Sequence, residues 1–152
     1  MPPRGENLAG IGTMIAHEMT HAFDNNGARY DKDGTPALVD AGDYAKFQEL
    51  CGQAAEFYDG WESATGVAVS GSQTLGENIS DIGGMACLLD ILSQKRDADY
   101  DTFFRTYAKS WMRASTLENI EFMAQFDEHR PGNLRTHRVL SNFEIFFSIY
   151  DI

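Results

Sequence analysis

Cysteine is scarce in this 152-residue sequence, which holds only Cys51 and Cys87. Two thiols close at most one bridge, and neither sits in a C-x-x-C arrangement, so a disulfide framework is excluded. The expectation is a pair of buried free thiols, which leans toward a reducing compartment and a cytoplasmic location. Basic residues are also few: 12 Lys and Arg stand against 23 Asp and Glu, for a formal net charge of -11. Such an acidic surface repels phosphate backbones and anionic lipid, so no nucleic-acid partner and no anionic membrane surface is expected. No apolar run is long enough for a membrane segment. The opening residues lack the basic start and apolar core of a signal peptide. The closing residues are apolar and stop without a polar tail. Both ends therefore read as cut, and the chain as a piece of a larger protein.

What is present is an ordinary globular mix, 43% hydrophobic and 23% charged, of a length that suits one domain over residues 1–152. Ile11, Met14, Ile15, Met19, Ala22 and Phe23 recur at helical spacing and predict a first helix over 8–24. Asn25, Asn26 and Gly27 suit a left-handed cap after it. Residues 25–37 read as a polar loop, with Asp33-Gly34 as a turn. A second helix is expected over 40–58, with a stripe of Tyr44, Phe47, Leu50, Cys51, Ala54, Phe57 and Tyr58. Glycines at 60, 66 and 71 predict a loop or short hairpin over 59–72. Further helices are expected over 72–94, 99–115 (capped by Asp101 or Thr102) and 135–150, with a loop at 127–134. The fold class is mainly α, with little or no strand.

The chemistry sits in the first helix. His17-Glu18-Met19-Thr20-His21 is an H-E-x-x-H motif, which average residue usage would produce by chance in about one chain of a few hundred this long. Residues four apart on a helix project from one face, so both imidazoles can reach one Zn²⁺. Glu18 is placed to take a proton from water activated by that metal.

A catalytic zinc site takes a third protein ligand. The metzincin pattern would put glycine at 24 and histidine at 27, where this chain has Asp24 and Gly27, so that class is excluded. The best candidate is Glu77, in Thr74-Leu75-Gly76-Glu77-Asn78-Ile79-Ser80-Asp81. Asp81 lies four residues on and shares its helix face. It is expected to accept a hydrogen bond from the outer nitrogen of a ligand histidine, His17 being favoured. Gly76, Gly83 and Gly84 would let the two helices approach closely.

These residues resemble the neprilysin and endothelin-converting enzyme family. The stretch His17 to Asp24 with Gly27 is similar to its zinc helix. The block Glu77-Asn78-Ile79-Ser80-Asp81 with Gly83-Gly84 is similar to its second zinc motif, with Ser80 where alanine is common. The loop His129-Arg130-Pro131-Gly132-Asn133-Leu134-Arg135 is similar to the segment that carries a catalytic histidine and a substrate-binding arginine. The resemblance covers nearly the whole chain and implies a zincin-like core acting on peptides and small proteins. It implies His17, His21 and Glu77 as ligands of one Zn²⁺, Glu18 as the base and Asp81 as the orienting carboxylate. It further implies that His129 stabilises the oxyanion and that Arg135 grips a substrate carbonyl; a histidine donor and a guanidinium fork suit those tasks. His137 has no such match and reads as a surface or packing histidine. The family's upstream strand, its helical portion over the cavity and its closing segment are not in the sequence. Met112 stands where a cysteine is usual, while Cys51 matches one, which suggests a disulfide-poor microbial member.

Three functions are weighed. The first is a zinc endopeptidase. The second is a metal-binding helical fragment without peptidase activity of its own, against which the intact Glu18 speaks. The third is a thermolysin-like enzyme, which the Glu-Asn-x-x-Asp block disfavours.

Overall fold

The computed structural model describes residues 4–36 and 41–152. The chain opens with α1 (Arg4–Asn7), a π-helical turn (Leu8–Gly12) and α2 (Thr13–Thr20), which run on as one rod. The widened π turn lies just before the H-E-x-x-H residues; such turns are frequent at functional sites. After a 3-10 turn (His21–Phe23) the chain reverses. Five long helices follow: α3 (Ala41–Tyr58), α4 (Leu75–Ser93), α5 (Tyr100–Ser110), α6 (Leu117–Phe126) and α7 (Gly132–Leu140). The short α8 (Glu144–Tyr150) closes the chain. As the residue pattern predicts, the fold is mainly α. Among the described residues there are no strands, only isolated bridges pairing Tyr30 with Pro36 and Glu62 with Ala68.

The fold centres on α4. Its buried face runs Asn78, Ser80, Asp81, Gly84, Met85, Leu88, Leu89 and Leu92, polar at the start and apolar at the end. The apolar half joins Ala9, Phe103, Phe104, Tyr107, Trp111, Val139 and Leu140 in the main core. Fully burying such side chains contributes about 1.5–3 kcal/mol each, which fixes α5 and α7 against α4. The polar half faces α2. There the backbones meet at glycine: a Cβ on Gly84 would lie 2.9 Å from the His17 nitrogen, and one on Gly83 would lie 2.6 Å from Thr20 Cγ2.

Several expectations change in detail. The apolar stripe of the first helix is not its buried face: Ile11, Ile15, Met19 and Phe23 are 54–72% exposed, while Ala9, Thr13 and His17 are at most 5% exposed. The glycine contact with α4 selects the small and polar side. Gly27 keeps a negative φ. It is needed instead for space, since a Cβ would lie 2.0 Å from the His21 carbonyl oxygen. On α3, Cys51 and Tyr58 are buried but Tyr44 and Leu50 are exposed, so only part of the expected stripe packs. Both thiols are free as expected, though Cys87 is exposed. Position 37 of the expected loop and position 40 of the second helix lie outside the described residues.

Helix α5 is capped by Asp99, whose carboxylate accepts from the Thr102 nitrogen, and ends at Ser110 rather than 115. Helix α6 has no counterpart in the sequence expectation; Thr116 caps it. The expected helix over 135–150 is two helices, broken between Leu140 and Glu144.

Gly84→Ala should lower stability by about 1–3 kcal/mol, because the added methyl meets backbone that cannot yield. Gly52→Ala, in α3 with open space around its Cβ, should raise it by about 0.5–1 kcal/mol. Urea denaturation of both variants measures this, and an unchanged midpoint for Gly84→Ala would contradict the close crossing.

Candidate metal centre

The α2–α4 crossing brings His17, His21 and Glu77 together, with one ligand atom from each lying within 4.8 Å of the others. His17 Nε2 is 3.1 Å from His21 Nε2 and 3.1 Å from Glu77 Oε2, and His21 Nε2 is 3.4 Å from Glu77 Oε1. Ligands held about 2.0–2.1 Å from one tetrahedral ion stand about 3.3–3.4 Å apart. The spacing therefore matches a shared ion.

The outer nitrogens decide which way the rings present themselves. His17 Nδ1 is 2.8 Å from Asp81 Oδ1, and His21 Nδ1 is 2.7 Å from Asp24 Oδ2 and 2.9 Å from Ser80 Oγ. Carboxylates that accept the Nδ1 protons leave both Nε2 lone pairs pointing inward. Glu77 Oε2 is buried, with His17 Nε2 and His129 Nε2 each 3.1 Å away. Acceptor atoms facing one another at these distances repel unless a cation lies between them, so the residues fit a metal.

Asp81 is 2% exposed. Burial alone would raise its pKa, but hydrogen bonds from His17 and Arg135 hold its carboxyl below the usual carboxylate range. Arg135 donates through Nε to Asp81 Oδ2 at 2.8 Å, and also through Nη2 to Oδ1. Its guanidinium lies over the Trp111 ring, 3.8 Å from the centroid. Burial likewise acts to raise the Glu77 pKa, and the His17 hydrogen bond with the nearby histidine charges brings it below normal.

A groove of about 1080 Å³ opens beside these residues. His17, Glu18, His129 and Arg135 all line it. Glu18, on the turn between the two histidines, is exposed to it. His129 places Nε2 3.1 Å from Glu77 Oε2 and Nδ1 2.9 Å from Asp127 Oδ1. His137 also faces the groove, which its reading as a plain surface or packing residue does not anticipate.

Every residue singled out in the sequence thus stands at one place: His17, Glu18, His21, Glu77, Asp81, His129 and Arg135. Asp81 pairs with His17, the partner favoured in the sequence analysis. Sequence reasoning missed three supports. Asp24 serves His21 as Asp81 serves His17, and also accepts from the Asn26 and Gly27 nitrogens, both at 2.7 Å. Its position three residues after His21 was the available signal. Ser80 and Asp127 were visible only as an unusual residue in a motif and as an acid two places before His129.

With any metal withdrawn, the acids around His17 favour a proton on its ring. Burial alone would lower the His17 pKa from 6.5, but the hydrogen bonds with Asp81 and Glu77 and the Asp81 charge outweigh it and push it up to about 9. A histidine raised on folding stabilises fully below its unfolded pKa, and the gain is lost as pH climbs through the folded value. With chelator present, stability should fall by on the order of 1–3 kcal/mol between pH 6.5 and about 9. Urea denaturation across that range measures it, and His17→Gln should flatten this component of the profile.

The chain is 37% identical over 149 residues to a neutral endopeptidase of Lactococcus lactis, an alignment covering 97% of this chain and 23% of that protein. The crystal structure of PepO from Lactobacillus rhamnosis superposes with a TM-score of 0.92 at 36% identity, over 99% of this chain and 24% of that one. A Mycobacterium tuberculosis zinc metalloprotease solved with an inhibitor superposes with a TM-score of 0.87 at 27% identity, over 98% and 25% of the two chains. The chain thus spans about a quarter of the length of these relatives. The profile of Peptidase family M13 matches residues 2–152, and the chain belongs to that family.

Proposed function

We propose that this chain carries the catalytic centre of a zinc-dependent endopeptidase that hydrolyses peptides and small proteins. The observation that carries the reading is the inward-facing set of His17 Nε2, His21 Nε2 and Glu77, with Glu18 exposed beside it in the groove. Two imidazoles and one carboxylate form the donor set of a catalytic zinc site, which keeps a position open. The names of the relatives, neutral endopeptidase and zinc metalloprotease, support the same reading.

His17, His21 and Glu77 would hold Zn²⁺, which supplies Lewis acidity for water and for the carbonyl under attack. Glu18 takes the proton of the attacking water and passes it to the departing amine. His129, its Nδ1 held by Asp127, turns an Nε2 hydrogen toward the oxygen on which negative charge develops. Arg135 is held in place by Asp81 and Trp111 and offers its remaining hydrogens to a substrate backbone oxygen. At about 1080 Å³ the groove is as large as the upper end of small-molecule pockets, roughly 1,000 Å³, and suits a stretch of extended peptide.

The second reading is a helical module in which zinc has a purely structural role. A structural site is closed by a fourth protein ligand and needs no base. Glu18→Gln separates the two readings. The parent protein should carry about one zinc per chain by metal analysis, and His17→Ala and Glu77→Ala should lose it. Glu18→Gln should keep the zinc and lose about 10²–10⁴-fold in turnover of a quenched fluorescent peptide. Unchanged turnover would favour the structural reading. Asp24→Ala, which frees the His21 ring, should weaken zinc binding by about 10–100-fold in a chelator competition.

A further inference from the structure

The charge of the chain is unevenly spread, and the groove is where the imbalance reverses. Of 12 Lys and Arg, five line it: Arg105, Lys109, Arg113, Arg130 and Arg135. Of 23 Asp and Glu, only Glu18 and Asp127 do. Those two acids already have positions: Glu18 lies between the metal-facing histidines, and Asp127 holds His129. Two of the cations are neutralised as well, Arg105 by Asp101 at 2.8 Å and Arg135 by Asp81.

Lys109, Arg113 and Arg130 have no such partner. Among the described residues none of them forms an ion pair within 4.0 Å. Arg130 is 3% exposed and lies over the Tyr58 ring at 3.4 Å, and its three side-chain nitrogens have no hydrogen-bond partner. This buried charge cannot swing out to meet a counter-ion, so its field persists in the groove wall. Lys109 and Arg113 are exposed and flank Trp111, the ring on which Arg135 rests. Both stand beside a cleft whose low-dielectric walls focus the potential.

We propose that Lys109 and Arg113 form a subsite for acidic side chains, with Arg130 supplying a fixed positive background, so that the preferred peptides carry Asp or Glu close to the cleaved bond. The proposal rests on the reading of this groove as the peptide channel. A long polyanion is a poor occupant, because the strongly acidic remainder of the surface repels it. One or two carboxylates on a short peptide meet a wall of five cations and two acids.

The test uses two fluorescein-labelled peptides that differ only in carrying Glu or Gln at the positions flanking a central Phe. Their affinities for the zinc-loaded protein are read by fluorescence anisotropy at low salt. An exposed ion pair is worth about 0.2–1 kcal/mol, so two of them predict a preference on the order of tenfold or somewhat less for the Glu peptide. It should shrink toward unity at about 1 M salt, where screening acts over about 3 Å. The same loss is expected at low salt in the Lys109→Met, Arg113→Met double variant, whose zinc content reports that its fold is intact. Equal affinities for the two peptides would overturn the proposal, as would a preference that survives the double variant, or no binding of either peptide. Cleavage of the same pair is scored separately. A Glu preference in binding without any cleavage would leave the subsite standing and remove the peptidase reading. Equal binding with cleavage of both would do the reverse.

Discussion

Two helices cross here without side chains between them, and the site depends on that. Gly83 and Gly84 let α4 press against the backbone of α2 at Thr20 and His17. Only at that separation can a carboxylate from one helix come within 3.1 Å of an imidazole from the other. A larger residue at the crossing would push the helices apart by the width of a methyl group, which is comparable to the whole spacing between the ligand atoms. The apolar half of α4 then holds the crossing in place. It packs on Phe103, Phe104 and Tyr107 of α5 and on Val139 and Leu140 of α7, well away from the polar end.

The polar end is organised as pairs of opposite charge arranged in depth. Each inward-facing histidine is backed by a carboxylate, and the carboxylate behind His17 is itself backed by a guanidinium. A buried anion such as Asp81 is tolerable only with that degree of satisfaction. The arrangement is costly to dissect, since removing any one member strands a charge in the interior. It also explains why α7, remote in sequence from the two crossing helices, belongs to the same unit: it delivers Arg135.

Much of this was legible in the residue pattern, for a definite reason. The i,i+4 spacing of His17 and His21, and of Glu77 and Asp81, fixes which side chains share a helix face before any tertiary contact is known. The glycines beside the second pair disclosed the close crossing. What was not legible depended on burial. The helical spacing of Ile11, Ile15, Met19 and Phe23 predicted the helix, yet the face that packs is Ala9, Thr13 and His17. Hydrophobic period reports that a face exists; backbone access decided which face was used. Helix α6 escaped because its pattern is short and follows a polar stretch, although Thr116 was a serviceable cap. The break after Leu140 escaped because Ser141 and Asn142 do not interrupt an apolar repeat strongly.

Asp81 is divided between two neighbours, and that has an effect on the far side of the imidazole. A carboxylate that shares its electrons with a guanidinium has fewer to lend to a histidine proton. Whatever draws Arg135 toward the channel returns some of that density to His17, whose inward nitrogen becomes the better donor. Occupancy of the groove and the electron richness of the inward face of His17 are in this way two readings of one shared anion.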